Sequence, residues 1–79
     1  MEIEVKLFGI MRDYLPKESG QFSCKVEVKS TDTVRDVLKK LKIPEGTPKI
    51  ILVNGVHSNI DRILKLGDIL SIFPPVAGG

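Results

Sequence analysis

The sequence predicts an α+β domain in which a sheet of four to five strands carries one main helix on one face. Three observations lead there. Apolar and polar residues alternate in two early segments, the period changes to helical spacing in a single stretch, and an Asn-Gly pair splits a later apolar run. A lone helix must bury its apolar stripe, and the strands around it supply the surface.

The elements follow in order. EIEVKLF alternates strictly, with Ile3, Val5 and Leu7 on one face and Glu2, Glu4, Lys6 and Phe8 on the other, as in a half-buried strand. MRDYLPKESG supplies a turn. In QFSCKVEV the alternation returns, with Phe22, Cys24, Val26 and Val28 inward and Ser23, Lys25 and Glu27 outward. In TVRDVLKKLKIP, Val34, Val37, Leu38 and Leu41 fall at helical spacing. Thr33 is placed to cap the first turn with Asp36 near its free amides, and Pro44 is the expected stop. KIILVNGVHSNI is apolar, β-branched and broken at Asn54-Gly55, where a type I′ hairpin turn needs positive φ at both central residues. DILSIF is the last strand, introduced by Leu66, Gly67 and Asp68. No linker or repeat interrupts this order, so residues 1–73 read as one domain and residues 74–79 as an extended tail.

Composition narrows the function. A chain of 79 residues buries only about 60% of its unfolded surface, so function is expected on the surface rather than in a deep cavity. Twelve Lys and Arg against ten Asp and Glu give a net charge of +2, and the basic residues are scattered and not interleaved with aromatics, which argues against nucleic acid as a partner. No apolar run approaches the ~20 residues of a membrane span, and the start lacks the apolar core of a signal peptide. With one cysteine there is no internal disulfide, and a cytoplasmic location is the expectation. Cys24, on an inward position, reads as a small core residue, and His57 has no companion at metal-ligand spacing. Lys39, Lys40 and Lys42 read as the solvated side of the helix. No Ser/His/Asp, Cys/His or paired-carboxylate arrangement emerges, so an independent enzyme is not expected.

The ending IFPPVAGG carries the most information. Pro74 and Pro75 fix φ and remove two donors, which ends the strand ladder and favours an extended tail. Val76 and Ala77 keep apolar side chains, whereas Gly78 and Gly79, lacking Cβ, let the backbone pass a narrow channel. From Pro74 to Gly79 the reach is about 18–20 Å, at roughly 3.1–3.6 Å per residue. Such a tail is shaped for insertion into a partner. Phe8, on the polar side of its strand, and Phe73, at the root of the tail, would form an aromatic anchor if both lie on the open face of the sheet; cover by a neighbouring loop is the alternative.

The element order, together with VKLFGIMRD, ILVNG and GDILSIFPPVAGG, resembles the sulfur-carrier branch of the ubiquitin-like β-grasp proteins, with a mixed sheet. The nearest likeness is to the small subunit of molybdopterin synthase, whose tail has the same Phe-Pro-Pro-Val-x-Gly-Gly form; at Gly9 the likeness leads one to expect alanine. The resemblance implies that Gly79 is a substrate. An activating enzyme of the ubiquitin-activating type adenylates its carboxylate at the expense of ATP, and a sulfur donor protein then gives a thiocarboxylate. No tightly bound cofactor and no metal are implied. The acceptor would be the large subunit of molybdopterin synthase, in molybdenum- or tungsten-cofactor synthesis. The alternatives are sulfur transfer toward thiamin, a thiolated tRNA base or a sulfur amino acid, and a protein modifier joined through Gly79 to lysines.

Overall fold

Parallel pairing of the first and last strands organises the sheet. The structure, a computed structural model, describes residues 1–17 and 19–75. Its elements are β1 (Glu2–Leu7), a 3₁₀ helix (Gly9–Tyr14), β2 (Ser23–Glu27), α1 (Val34–Lys40), β3 (Ile50–Val53), β4 (Val56–His57) and β5 (Ile69–Phe73). The five strands form one sheet in the order β2-β1-β5-β3-β4. β1 and β5 run parallel with Leu7 beside Ile72, and the remaining pairs are antiparallel. The result is the predicted mixed sheet.

Alternation decides which side is buried. Ile3, Val5 and Leu7 of β1, Leu70 and Ile72 of β5, and Ile51 and Val53 of β3 join Val34, Val37 and Leu38 of α1 in a single core. The other side of the sheet stays open.

All four free amides at the start of α1 find acceptors. Thr33 donates its amide to the Asp36 carboxylate at 2.9 Å, and Asp36 returns its amide to the Thr33 hydroxyl at 3.4 Å, completing a capping box. Val34 and Arg35 donate to the carbonyls of Arg62 and Ile60 at 3.0 and 2.9 Å, so the loop before β5 lies across the helix start. The hairpin is as predicted, with φ of 53° at Asn54 and 82° at Gly55 between paired Val53 and Val56.

Three local expectations are corrected. The segment after β1 is a 3₁₀ helix, not an open turn, because Met11 is buried at its centre and donates its amide to the Phe8 carbonyl. The helix ends at Lys40, before Pro44 can act. Lys42 adopts φ of 62°, its amide reaches the Lys39 carbonyl at 3.0 Å, and the Ile43 amide reaches the Leu38 carbonyl at 2.9 Å. These two bonds define a Schellman motif built on lysine, with Leu38 and Ile43 both buried beside it. Finally, Phe22 does not point inward. It precedes β2 and is 41% exposed, because the backbone bends there and strand alternation no longer governs its direction.

Candidate functional site: an aromatic row at the root of the tail

Phe8 is the first residue beyond β1, and its amide donates to the Ile72 carbonyl at 3.1 Å, carrying the β1–β5 pairing one step further. Leu7 and Ile72 are neighbours in that register, so Phe8 and Phe73 emerge next to each other on the opposite side from the core. Their rings stack with centroids 4.4 Å apart and planes within 4° of parallel. Phe22 stacks on Phe8 at 5.5 Å and 25°. On the far side, Ile50 of β3 pairs with Phe73. Four apolar side chains from four different segments therefore cross the open face in one row, Phe22, Phe8, Phe73 and Ile50. The next row down, Lys6 beside Ser71 and Ser71 beside Leu52, turns partly polar. Apolar surface rimmed by polar residues is a common mark of a docking surface.

Pro74 and Pro75 follow Phe73 directly, the first half-buried and the second exposed. With no amide hydrogen to donate, they stop the ladder at the edge of the aromatic row. The structure thus brings together the sequence-predicted Phe8, Phe73, Pro74 and Pro75. Val76, Ala77, Gly78 and Gly79 lie outside the described residues. Strand alternation does not place Phe22 in the row, because Phe22 lies in the bend ahead of β2 and not in the strand itself. The signal that could have placed it is the Gly20-Gln21 pair ahead of it, which marks a bend.

The remaining polar groups of interest serve the fold. Cys24 is half-buried against the core, and burial pushes its thiol above the ordinary value, with the Ser19 hydroxyl acting in the opposite sense. A thiol in that setting is not activated as a nucleophile. Arg35 bridges Asp61 at 2.7 Å and Glu45 at 3.0 Å, which raises its already high pKa and ties α1 to the loops on either side. Lys40 is not merely solvated: its ammonium donates to the Glu27 carbonyl at 2.6 Å and approaches Asp32 at 3.3 Å. Among the described residues no group of three or more His, Cys, Asp or Glu could hold a metal ion, and no helix is long and apolar enough to cross a membrane.

A β-grasp sheet with a glycine tail issuing from its central strand defines a ubiquitin-like carrier or modifier. Residues 5–79 match the ThiS family, and the chain belongs to it: a family of small ubiquitin-like sulfur carriers and modifiers, not a family of catalytic enzymes. The chain is 35% identical to small archaeal modifier protein 3 of Haloferax volcanii, with both chains covered in full. Its structure resembles a putative molybdopterin converting factor subunit 1 from Pyrococcus furiosus, with 28% identity, a TM-score of 0.73, and 95% of this chain and 98% of that chain covered. It also resembles a chain in the complex of subunits 1 and 2 of the molybdopterin-converting factor from Helicobacter pylori, with 26% identity, a TM-score of 0.63 and both chains covered in full.

Proposed function

We propose that this protein is a sulfur carrier that works as the small subunit of a molybdopterin synthase. The observation that carries the reading is the aromatic row at the exit of the Gly-Gly tail. It gives a partner a surface to grip beside the segment that would enter its active site. The solved complex of converting-factor subunits 1 and 2, to which the chain is similar, supports a large-subunit partner.

The chemistry follows from the terminal group. A free carboxylate is a poor acyl electrophile, so the activating enzyme first transfers AMP from ATP to the Gly79 carboxylate and releases pyrophosphate. A sulfide equivalent from the sulfur donor then attacks the acyl carbon, AMP leaves, and the terminus becomes a thiocarboxylate able to deliver sulfur to an acceptor. This chain supplies the reacting terminus and the docking surface; its partners supply the catalytic groups and consume the ATP. A cytoplasmic location fits such partners. The 35% identity to a small archaeal modifier protein favours a second reading, in which activated Gly79 is attacked by a lysine amine of another protein and forms an isopeptide bond.

Intact mass spectrometry tests both. After incubation with activating enzyme, ATP and a sulfur donor, the mass should rise by the difference between sulfur and oxygen, and the product should react with thiol-specific alkylating reagents even in Cys24→Ser. Loss of labelling in Cys24→Ser would overturn the thiocarboxylate. Lysine-linked adducts ending in Gly79 would favour the modifier.

A further inference from the structure

Asn54 is followed by Gly55, whose backbone nitrogen has no Cβ beside it to shield it from the asparagine side chain. This is the dipeptide in which an asparagine cyclises most readily. The turn is open to water: both residues are exposed, and a Cβ built on Gly55 would meet nothing within 4 Å. Yet both polar atoms of the Asn54 side chain are engaged by the start of β5. Its oxygen accepts the Ile69 amide at 2.9 Å, and its nitrogen donates to a carboxylate oxygen of Asp68 at 2.9 Å. The backbone amide of Asn54 donates to the Ile69 carbonyl at 2.8 Å. These partners fix the carboxamide one way round, because a flip would set oxygen against carboxylate and NH2 against the Ile69 amide. The other asparagine, Asn59, precedes the β-branched Ile60 and has no such exposed nitrogen beside it.

We propose that Asn54 is a latent modification site, a succinimide-forming residue kept closed by its bonds to Asp68 and Ile69. In the reaction the Gly55 nitrogen gives its proton to solvent and attacks Cγ of Asn54. The bond from Cγ to the side-chain nitrogen breaks, ammonia leaves, and a five-membered ring closes. Water then opens the ring at either carbonyl, giving aspartate or isoaspartate, so that one water is consumed and one ammonia released overall. To reach Gly55, Cγ must let go of both partners and leave the buried Asp68 carboxylate short of a donor. The products cannot restore the clasp. Aspartate has no N–H to offer Asp68 and sets a second carboxylate against it, and isoaspartate lengthens the backbone of a two-residue turn. Conversion therefore releases the entry to β5, the strand that ends at Phe73 and the tail. The inference does not depend on the carrier reading.

The test is incubation of the full chain at neutral pH, with peptide mapping that separates asparagine, aspartate and isoaspartate at position 54. The folded parent should convert about a hundredfold or more slowly than the same chain unfolded in urea, since both side-chain bonds must break first. Folded Asp68→Ala, which removes one of the two, should convert about tenfold faster than the parent. Asp68→Asn keeps an acceptor without the charge and should fall between them; it serves the same comparison if the alanine variant does not fold. Val37→Ala weakens the core at α1 without touching the clasp and should convert at the parental rate. Equal rates for the folded and unfolded parent would overturn the proposal, as would a folded Asp68 variant no faster than the parent. Acceleration in Val37→Ala to match Asp68→Ala would assign the reaction to the unfolded chain and overturn the clasp as its control. Asn54→Asp should lower the urea midpoint, and a parental midpoint would overturn the release of β5.

Discussion

Asn54 and Asp68, fourteen residues apart, are joined by a side-chain bond in which the Asn54 amide donates to the Asp68 carboxylate at 2.9 Å. The Asn54 side-chain oxygen accepts the Ile69 amide at 2.9 Å, and the other Asp68 oxygen accepts the Lys65 amide at 2.8 Å. The hairpin turn and the turn ahead of β5 are thereby locked to each other around a carboxylate that is only 7% exposed. Hydrogen bonds to charged groups are worth about 1.5–3 kcal/mol each, so Asp68→Ala should cost about 2–4 kcal/mol, and Asp68→Asn less. Urea denaturation of the two variants is the measurement. A loss well under 1 kcal/mol in Asp68→Ala would show that the clasp does not hold the fold.

The aromatic row leads to a separation of binding from stability. Phe8→Ala should weaken affinity for the activating enzyme or the synthase partner by about tenfold to a hundredfold, since a buried interface aromatic is commonly worth about 1–3 kcal/mol. Phe8 is only half-buried in the free chain, so folding stability should fall by less than the ~3–5 kcal/mol of a core Phe→Ala change. Titration calorimetry beside a denaturation curve decides it. Normal binding with severe destabilisation would assign Phe8 to the core.

The Schellman turn makes a prediction of opposite sign. Lys42 holds φ of 62°, a region that costs a side-chain-bearing residue about 1–2 kcal/mol. Lys42→Gly should stabilise the chain by about 1 kcal/mol, with partial offset from the greater freedom of glycine in the unfolded chain. A raised urea midpoint with unchanged slope is the expected result. A lowered midpoint would mean that the lysine side chain contributes more than its backbone strain costs.

Acid should undo the start of α1. The Thr33 amide and hydroxyl hold the Asp36 carboxyl below its ordinary value, and the Lys29 amide, with Lys40, does the same for Asp32. A lowered folded-state value means that each carboxylate stabilises the fold fully above its unfolded value and loses that contribution as pH falls through the folded value. Stability should therefore be flat through neutral pH and decline below the ordinary carboxylate range. Asp36→Asn should be less stable at neutral pH and show a shallower acid decline. A decline as steep as that of the parent would assign the acid sensitivity to other groups.

Activation should depend on the terminus itself. One residue added after Gly79, or deletion of Gly79, should abolish ATP–pyrophosphate exchange and leave the denaturation curve nearly unchanged. Undiminished exchange by the extended chain would rule out Gly79 as the adenylated residue.

Much of the fold was legible because its signals are local. Alternation in β1, the Thr33–Asp36 cap and the Asn54-Gly55 turn each act within a few residues, and each appears where expected. The misreadings share a physical cause, since they depend on what lies across space. Met11 closes a 3₁₀ helix because there is core to fill, and Phe22 turns outward to meet Phe8. Lys42 takes a conformation normally left to glycine because Leu38 and Ile43 are held in the core on either side of it. Face alternation puts Phe8 on the side away from the core, but its stacking on Phe73 comes from the parallel register of β1 and β5, which no sequence period encodes.

The position of β5 also determines how the domain responds to force. It is paired on both sides, to β1, past whose end the Phe8 amide donates to the Ile72 carbonyl, and to β3, where Ile50 lies opposite Phe73. Tension applied to Pro74 along the strand axis therefore loads two ladders in shear, with many bonds strained at once. An edge strand pulled outward would instead unzip one bond at a time. A partner that draws the tail taut in its channel pulls against a strand paired along both edges, so the tether can bear load without unravelling its own anchor.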